Sequence, residues 1–133
     1  MKRRISILGS TGSIGKQTCE VAEALDLDVR VLVAHSSVET IFSQAKRLDP
    51  DLVVLEDETA AKILADKCQA ANLTCQVLGG RENVLEASRY EEVDIVVSSL
   101  VGMAGLEPTL QAIKANKTIA LANKESLVVA GDL

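Results

Sequence analysis

Short apolar runs rich in β-branched residues alternate along the chain with longer stretches whose apolar positions repeat at helical spacing. The short runs predict buried strands and the longer stretches predict amphipathic helices, because apolar residues at a period of about 3.6 line one face of a helix. The predicted strands cover residues 5–8, 29–34, 52–55, 74–78, 94–98 and 118–122. The predicted helices cover residues 14–25, 36–48, 57–71, 82–90 and 105–115, and another begins near residue 124. This alternation predicts an α/β fold, in which a mainly parallel sheet has helices on both faces.

Polar residues at the predicted helix ends support these boundaries. Ser36 and Glu39 have the spacing of a capping box, which predicts a helix start. Asp57 is placed to cap the following helix, and Asn72 to close it in a left-handed conformation. Local chemistry and hydrophobic periodicity therefore predict the same element boundaries.

The chain has 133 residues, of which 47% are apolar and 25% are charged. These values are typical of one globular domain, here residues 1–133, that buries a core without help from a disulfide or a metal. No apolar run approaches the length of a signal peptide or of a membrane span. We therefore expect a soluble cytoplasmic protein without membrane contact, or a plastid protein if a transit peptide has been removed.

Acidic residues outnumber basic residues by 19 to 14, which gives a net charge of −5, and only 2% of the residues are aromatic. A negative net charge disfavours nucleic acid as a partner, and so few aromatic rings offer no platform for stacked bases. A small phosphorylated ligand is still compatible, since it needs only a local site. The three cysteines have no zinc-site spacing, so we expect free thiols.

The segment Gly-Ser-Thr-Gly-Ser-Ile-Gly at residues 9–15 joins the first strand to the first helix. Its pattern, G-x-x-G-x-x-G, is one residue longer in the first gap than the dinucleotide fingerprint G-x-G-x-x-G. Gly9 allows the tight turn, Gly12 lets a pyrophosphate approach the backbone, and Gly15 lets the helix lie close to the strand. Free N–H groups at the helix start, with the hydroxyls of Thr11 and Ser13, then face the phosphate. We infer a Rossmann-like, doubly wound dinucleotide-binding domain; the alternative is a purely structural turn.

The turn after the second strand indicates which dinucleotide is bound, because NAD sites carry an acidic residue there for the ribose 2′-hydroxyl. Here His35, Ser36 and Ser37 occupy the turn, and no acid is present. A carboxylate would repel a 2′-phosphate, so its absence favours NADP, and the serine hydroxyls can donate hydrogen bonds to that phosphate. The alternative is that Ser36 or Ser37 only caps the next helix.

A second polar cluster, Asn123, Lys124 and Glu125, follows the last predicted strand. A parallel strand delivers such side chains to the carboxyl edge of the sheet, where ligands bind in open α/β folds. The alternative is that Asn123 only caps a helix that Glu125 stabilises in its first turn. The chain ends soon afterwards, inside this predicted helix, so we expect the N-terminal part of a longer protein.

Four segments closely resemble the 1-deoxy-D-xylulose 5-phosphate reductoisomerase family. They are residues 9–15, Val-Gly-Met-Ala-Gly-Leu at 101–106, Pro-Thr-Leu at 108–110 and Leu-Ala-Asn-Lys-Glu-Ser-Leu-Val at 121–128, in the family's order and at about its spacing. The resemblance covers the whole chain and implies the N-terminal NADPH-binding domain of an enzyme of non-mevalonate isoprenoid synthesis. That enzyme rearranges the carbon skeleton of a phosphorylated sugar and reduces the resulting aldehyde to 2-C-methyl-D-erythritol 4-phosphate. It uses Mg²⁺, Mn²⁺ or Co²⁺, and we expect it to be a homodimer.

The resemblance also implies roles for individual residues. Those implied to contact NADPH are Thr11, Gly12, Ser13, Ile14, Ser36, Ser37, Asn123 and Glu125. Lys124 is implied to contact the substrate. The family's turn after the second strand usually ends in asparagine, often after a basic residue or serine, and this chain departs from that pattern. The family's metal ligands and substrate-phosphate residues lie beyond Leu133, so we expect no catalytic residue, no metal ligand and no activity in this chain alone.

Two other functions stay open on the sequence. An NADP-dependent dehydrogenase of the homoserine-dehydrogenase kind has a similar Asn-Lys pair after a strand, although residues 9–15 disfavour it. A dinucleotide-sensing module without catalysis would share the same turn. Sequence beyond Leu133 would distinguish them, because the reductoisomerase carries an acidic Val-Asp-Ser-Glu-like motif shortly downstream and a sensor carries a DNA-binding domain.

Overall fold

Seven strands and four helices are defined in the part of the chain that the structure, a computed structural model, describes: residues 3–99, 108, 111–112, 114–122 and 127–132. The strands are β1 (Arg4–Leu8), β2 (Asp28–Ala34), β3 (Leu52–Leu55), β4 (Gln76–Gly79), β5 (Ile95–Ser98), β6 (Thr118–Ala122) and β7 (Leu127–Asp132). The helices are α1 (Ser13–Ala24), α2 (Val38–Leu48), α3 (Glu58–Ala70) and α4 (Arg81–Ser88). Within the described residues, no helix has the length and apolar character that crossing a membrane requires.

The strands form one sheet in the order β4-β3-β2-β1-β5-β6-β7. Neighbouring strands from β4 through to β6 are parallel, and β7 is antiparallel to β6. The chain first builds the sheet outward from β1 to β4, then crosses to the other side of β1 to form β5. This order is that of a Rossmann-like fold. The predicted doubly wound, mainly parallel sheet is confirmed.

Successive residues of the central strands face opposite sides of the sheet. Ile7 and Leu32 pack in the core cluster that α1, α2 and α3 cover, while Leu8 and Val31 pack in a second cluster beneath α4. All four side chains are fully buried. Because helices cover both faces, these strands appear in the sequence as continuous apolar runs rather than as alternating ones.

The predicted elements agree with the structure to within two residues at most of their ends. The side chain of Asp57 caps α3 by accepting a hydrogen bond from the N–H of Ala60 at 3.0 Å, and Asn72 follows the helix with a φ of 60°. Both predicted end signals are therefore confirmed. The helix predicted over 105–115 lies mostly outside the described residues; those of its residues that are described as helical are 108, 111, 112 and 114.

In the described residues, a strand stands where a helix was predicted to begin near Lys124. Lys124 itself lies outside them, and Leu127–Asp132 forms the strand β7. β7 pairs with β6, so the backbone groups along that side of β6 gain partners that a helix could not supply. Val128 and Val129 also favour extended backbone, because β-branched side chains fit a strand better than a helix.

Candidate functional site

The carboxyl ends of β1 and β5 define the candidate site. β1 is central in the sheet, with β2 on one side and β5 on the other. The chain passes from β1 to β2 on one side and from β5 to β6 on the other, so the strand order reverses between β1 and β5. Open parallel sheets bind their ligands outside the carboxyl ends of the strands at such a reversal. The glycine-rich turn, residues 9–12, lies at this edge directly after β1.

The glycine-rich turn is held tightly against β2. The N–H groups of Gly9 and Ser10 both donate to the carbonyl oxygen of Val33, at 2.7 and 3.0 Å. Gly9 has a φ of 82°, in the left-handed region that residues with a side chain rarely adopt. The predicted need for glycine at this tight turn is confirmed.

Gly15 and Gly12 lie in different surroundings. A Cβ on Gly15 would lie 1.9 Å from the carbonyl oxygen of Gly9, so a side chain there would push α1 away from the turn. The predicted close approach at Gly15 is therefore confirmed. A Cβ on Gly12 would meet the Gly9 oxygen at 3.9 Å, and Gly12 is exposed. The space beside Gly12 is open to a ligand, and its use by a pyrophosphate stays a prediction.

The first turn of α1 offers hydrogen-bond donors to a ligand. Gly12 is the N-cap residue, and no side chain caps the helix. The first N–H groups of a helix have no carbonyl partner within it, so those of Ser13 and Ile14 are available. The partial positive charge of a helix start adds about 0.3–1 kcal/mol of attraction for an anion. Ser13 is exposed, and Thr11 and Ile14 are half-buried, so a ligand can reach these donors.

Two residues that sequence reasoning missed support this turn. Gln44 of α2 is 1% exposed and donates from Nε2 to the carbonyl oxygen of Ser10 at 2.8 Å. Ser99 follows β5 directly. Its Oγ lies 2.8 Å from the carbonyl oxygen of Leu8 and 3.0 Å from that of Gly9, and its hydroxyl can donate to either. The sequence signal for Gln44 is a polar residue within the apolar stripe of its helix. Ser99 has no comparable signal in the sequence, because its contact depends on β5 lying beside β1.

The turn after β2 holds the residues expected to select the cofactor. His35, Ser36 and Ser37 are all exposed. Ser37 is the N-cap residue of α2, but its hydroxyl makes no capping hydrogen bond. The predicted capping box of Ser36 and Glu39 is therefore wrong, because α2 begins one residue later than that pairing requires. The Ser37 hydroxyl is not used to cap the helix and can face a ligand.

Acidic residues on the elements beside this turn are engaged with other groups of the protein. Glu56 and Asp57 adjoin the turn, since their N–H groups donate to the last residue of β2 and to the residue after it. The Glu56 carboxylate pairs with Arg81 at 3.4 Å, and the Asp57 carboxylate caps α3. Glu39, in the first turn of α2, pairs with Lys67 at 3.0 Å. Charged or N–H donors thus bind each of these three carboxylates.

The second polar cluster, Asn123, Lys124 and Glu125, lies outside the described residues. The strand before it, β6, ends at Ala122 and runs parallel to β5. The carboxyl end of β6 is therefore at the same edge of the sheet as those of β1 and β5. Contacts of these three residues with a cofactor or substrate stay a prediction.

Arginines at the opposite edge of the sheet are engaged in ion pairs. Arg4 begins β1 and pairs with Asp94, which precedes β5, at 3.1 Å. The hydrogen bonds from Arg4 lower the pKa of the Asp94 carboxyl below its usual value. Arg30 contacts Asp28 at 3.0 Å and Asp51 at 2.9 Å. These charges connect neighbouring strands at their amino ends, away from the candidate site.

Within the described residues, no group of three or more histidine, cysteine, aspartate or glutamate side chains is placed to hold a metal ion. Cys19, Cys68 and Cys75 are free thiols, as expected. Burial raises the pKa of Cys19 to about 11, so this thiol is neutral at pH 7. What the described residues offer at the candidate site is therefore a set of donors for an anion.

The family model for 1-deoxy-D-xylulose 5-phosphate reductoisomerase matches residues 5–131 of the chain. Among curated relatives, the reductoisomerase of Clostridium perfringens (strain SM101) is 44% identical, over 98% of this chain and 35% of its own length. That of Haemophilus influenzae (strain PittGG) is 45% identical, over 99% of this chain and 34% of its own length. The chain thus spans about a third of the length of the curated relatives it matches.

Solved structures of 1-deoxy-D-xylulose 5-phosphate reductoisomerases are similar in fold to this chain. The structure of 1-deoxy-D-xylulose 5-phosphate reductoisomerase from Zymomonas mobilis in complex with NADPH has a TM-score of 0.85 at 34% identity, covering 95% of this chain and 33% of that chain. A structure of DOX-P reductoisomerase in complex with NADPH, fosmidomycin and magnesium has a TM-score of 0.85 at 35% identity, covering 93% and 31%. The similarity in fold extends over nearly the whole of this chain.

Proposed function

Because the chain belongs to the 1-deoxy-D-xylulose 5-phosphate reductoisomerase family, we propose that it forms the NADPH-binding domain of such an enzyme. The observation that carries this proposal is the uncapped start of α1 beside the glycine-rich turn, at the carboxyl end of β1 where the strand order reverses. Backbone N–H groups in this arrangement bind a pyrophosphate. Two of the similar solved structures are complexes with NADPH.

The pyrophosphate of NADPH is proposed to lie against the first turn of α1. The N–H groups of Ser13 and Ile14, together with the hydroxyl of Thr11, would donate hydrogen bonds to its oxygens. Gly12 supports this placement, because the space beside it is open on the exposed side of the turn. Several such bonds to a charged ligand, each worth about 1.5–3 kcal/mol, would supply most of the affinity.

The 2′-phosphate of NADPH is proposed to lie at the turn after β2. Ser36 and Ser37 would donate hydrogen bonds to it from their exposed hydroxyls. The carboxylates of Glu56 and Glu39 are each paired with a basic side chain, so they repel a phosphate less than free carboxylates would. This environment favours NADPH over NADH.

The whole protein is proposed to convert 1-deoxy-D-xylulose 5-phosphate to 2-C-methyl-D-erythritol 4-phosphate, as a rearrangement of the carbon skeleton followed by reduction of an aldehyde. NADPH supplies the hydride when it is bound. Residues of this chain would bind and orient the cofactor, with Asn123 and Glu125 as further contacts and Lys124 reaching the substrate. We propose that the whole protein also uses a divalent metal, Mg²⁺, Mn²⁺ or Co²⁺; the described residues of this chain show no cluster of side chains placed to hold it.

The family match over residues 5–131 favours this function over a dehydrogenase of the homoserine-dehydrogenase kind and over a dinucleotide sensor. Assembly as a homodimer and a cytoplasmic location stay predictions for the whole protein.

Gly12→Val tests the proposed pyrophosphate site. We expect the variant to lose NADPH binding in calorimetric titration of the whole protein, because the valine side chain would fill the open space beside the turn. We expect the variant to stay folded, since Gly12 has a φ of −72° and the added Cβ meets the nearest protein atom at 3.9 Å. A wild-type protein that fails to bind NADPH would overturn the proposed function. A folded variant that binds NADPH normally would show that the site is elsewhere.

A further inference from the structure

We propose that Gln44 is a positioning residue of the nucleotide site and acts on the cofactor through the backbone of the glycine-rich turn. This inference rests on the proposed function. Gln44 belongs to α2, more than thirty residues along the chain from the turn, and its Nε2 donates to the carbonyl oxygen of Ser10 at 2.8 Å. Ser10 lies two residues before the N-cap of α1.

The burial of Gln44 indicates that its hydrogen bond has a specific role. Gln44 is 1% exposed and lies on the same face of α2 as Ile41 and Ala45, which are 0% and 2% exposed. An apolar residue would fill such a position without the cost of burying an amide. The Oε1 atom of Gln44 has no hydrogen-bond partner within the described residues. The hydrogen bond to the Ser10 carbonyl is therefore the contribution that the buried Gln44 amide makes to the structure.

The geometry of the peptide unit explains how Gln44 reaches the ligand. The bond between Ser10 and Thr11 is trans, since no described peptide bond is cis. In a planar trans peptide, the C=O and the following N–H point in opposite directions. By holding the Ser10 carbonyl towards α2, Gln44 aims the N–H of Thr11 away from α2. Thr11 is half-buried and precedes the exposed Gly12, so a ligand at the turn can reach this N–H.

Other hydrogen bonds hold the turn on either side of this peptide. The Ser10 N–H donates to the carbonyl oxygen of Val33 on β2, and Ser99 approaches the carbonyl oxygens of Leu8 and Gly9 from the end of β5. Gln44 adds the bond to the peptide unit that adjoins the proposed pyrophosphate site. Without the Gln44 hydrogen bond, this peptide unit could change its orientation, while the neighbouring hydrogen bonds would keep the turn folded.

Gln44→Met tests the inference, because methionine matches the length of glutamine and cannot donate to Ser10. We expect the dissociation constant of the whole protein for NADPH to rise about tenfold, the effect of one lost hydrogen bond to a charged ligand. We expect the affinity for adenosine 2′-phosphate, which has no pyrophosphate, to stay unchanged. Gln69→Met, at an exposed position of α3, is the matched control and is expected to change neither affinity.

The outcomes separate positioning from a purely structural role. Unchanged NADPH affinity in a folded Gln44→Met protein would overturn the inference, even if the melting temperature falls. Equal losses for NADPH and adenosine 2′-phosphate would also overturn it, because they would indicate general loosening. If Gln44→Met does not fold, Gln44→Leu receives the same two titrations. A wild-type protein that binds adenosine 2′-phosphate and not NADPH would instead refute the proposed function.

Discussion

At the scale of single residues, the glycines of the turn are required for different physical reasons. Gly9 adopts a left-handed conformation, with a φ of 82°. Gly15 is required by contact, since a Cβ there would overlap the backbone oxygen of Gly9. Gly12 satisfies neither condition, because its φ is ordinary and its surroundings are open. Substitutions at Gly9 and Gly15 are therefore expected to affect folding, whereas substitutions at Gly12 are expected to affect ligand binding.

Gly15→Ala is expected to lower the free energy of unfolding by about 1–3 kcal/mol, the usual cost of overpacking. The added Cβ would lie 1.9 Å from a backbone oxygen, which cannot turn aside as a flexible side chain would. This loss outweighs the gain of about 1 kcal/mol that alanine brings to a helix interior. Urea unfolding measures the change, with Gly12→Ser as the control that stays within about 0.5 kcal/mol of wild type, because serine suits an N-cap as well as glycine does. Equal stability of the two variants would contradict the close approach of α1 to the turn.

At the scale of elements, the helix starts differ in how their N–H groups are used. The side chain of Asp57 caps α3, whereas no side chain caps α1, α2 or α4. Two of the uncapped starts, those of α1 and α2, follow β1 and β2 at the turns assigned to the pyrophosphate and the 2′-phosphate. The third, that of α4, follows β4 and has Gly80 as its N-cap. A helix start that leaves its N–H groups open suits an anionic ligand, because that ligand can supply the missing acceptors.

Asp57→Ala and Ser37→Ala form a matched pair of N-cap substitutions. Asp57→Ala is expected to lower the free energy of unfolding by about 1 kcal/mol, because the N–H of Ala60 loses its acceptor. Ser37→Ala is expected to change it by less than about 0.5 kcal/mol, since its hydroxyl makes no capping bond. Denaturant unfolding of both variants checks the difference. A loss at Ser37 as large as that at Asp57 would show that the serine caps α2 after all.

At the scale of the whole molecule, the proposed selectivity for NADPH depends on local arrangement rather than on net charge. The chain carries a net charge of −5, which disfavours anions at long range. Basic residues at the amino edge of the sheet, Arg4 and Arg30, are engaged with carboxylates there. Selection of the 2′-phosphate is therefore expected to depend on Ser36, Ser37 and the paired acids around the turn after β2.

The whole protein is expected to bind NADPH about ten to a hundred times more tightly than NADH. Hydrogen bonds to a charged phosphate are worth about 1.5–3 kcal/mol, and the adjoining carboxylates are already paired. Parallel calorimetric titrations with the two cofactors measure the ratio. Equal affinities, or tighter binding of NADH, would contradict the proposal that the 2′-phosphate binds at the turn after β2.

The sequence by itself determined the features that depend on local periodicity and local backbone conformation. Alternating apolar runs and helical stretches predicted the strands and helices in order, and the glycine spacing predicted the tight turn and the close helix of residues 9–15. Asp57 and Asn72 marked the ends of α3 correctly, because caps act over a few residues. The same local reasoning failed at Ser36 and Glu39, where a shift of one residue in the helix start removed the capping box.

Only the tertiary structure decided what joins segments that are distant in the chain. β7 is a strand because β6 lies beside it, and local helix signals after residue 122 could not indicate that pairing. Gln44 and Ser99 support the glycine-rich turn from α2 and from the end of β5, contacts that exist only once the sheet order brings these elements together. A hydrogen bond between distant segments depends on the packing of the whole sheet. Neither residue therefore belongs to a motif that spacing along the chain could have shown.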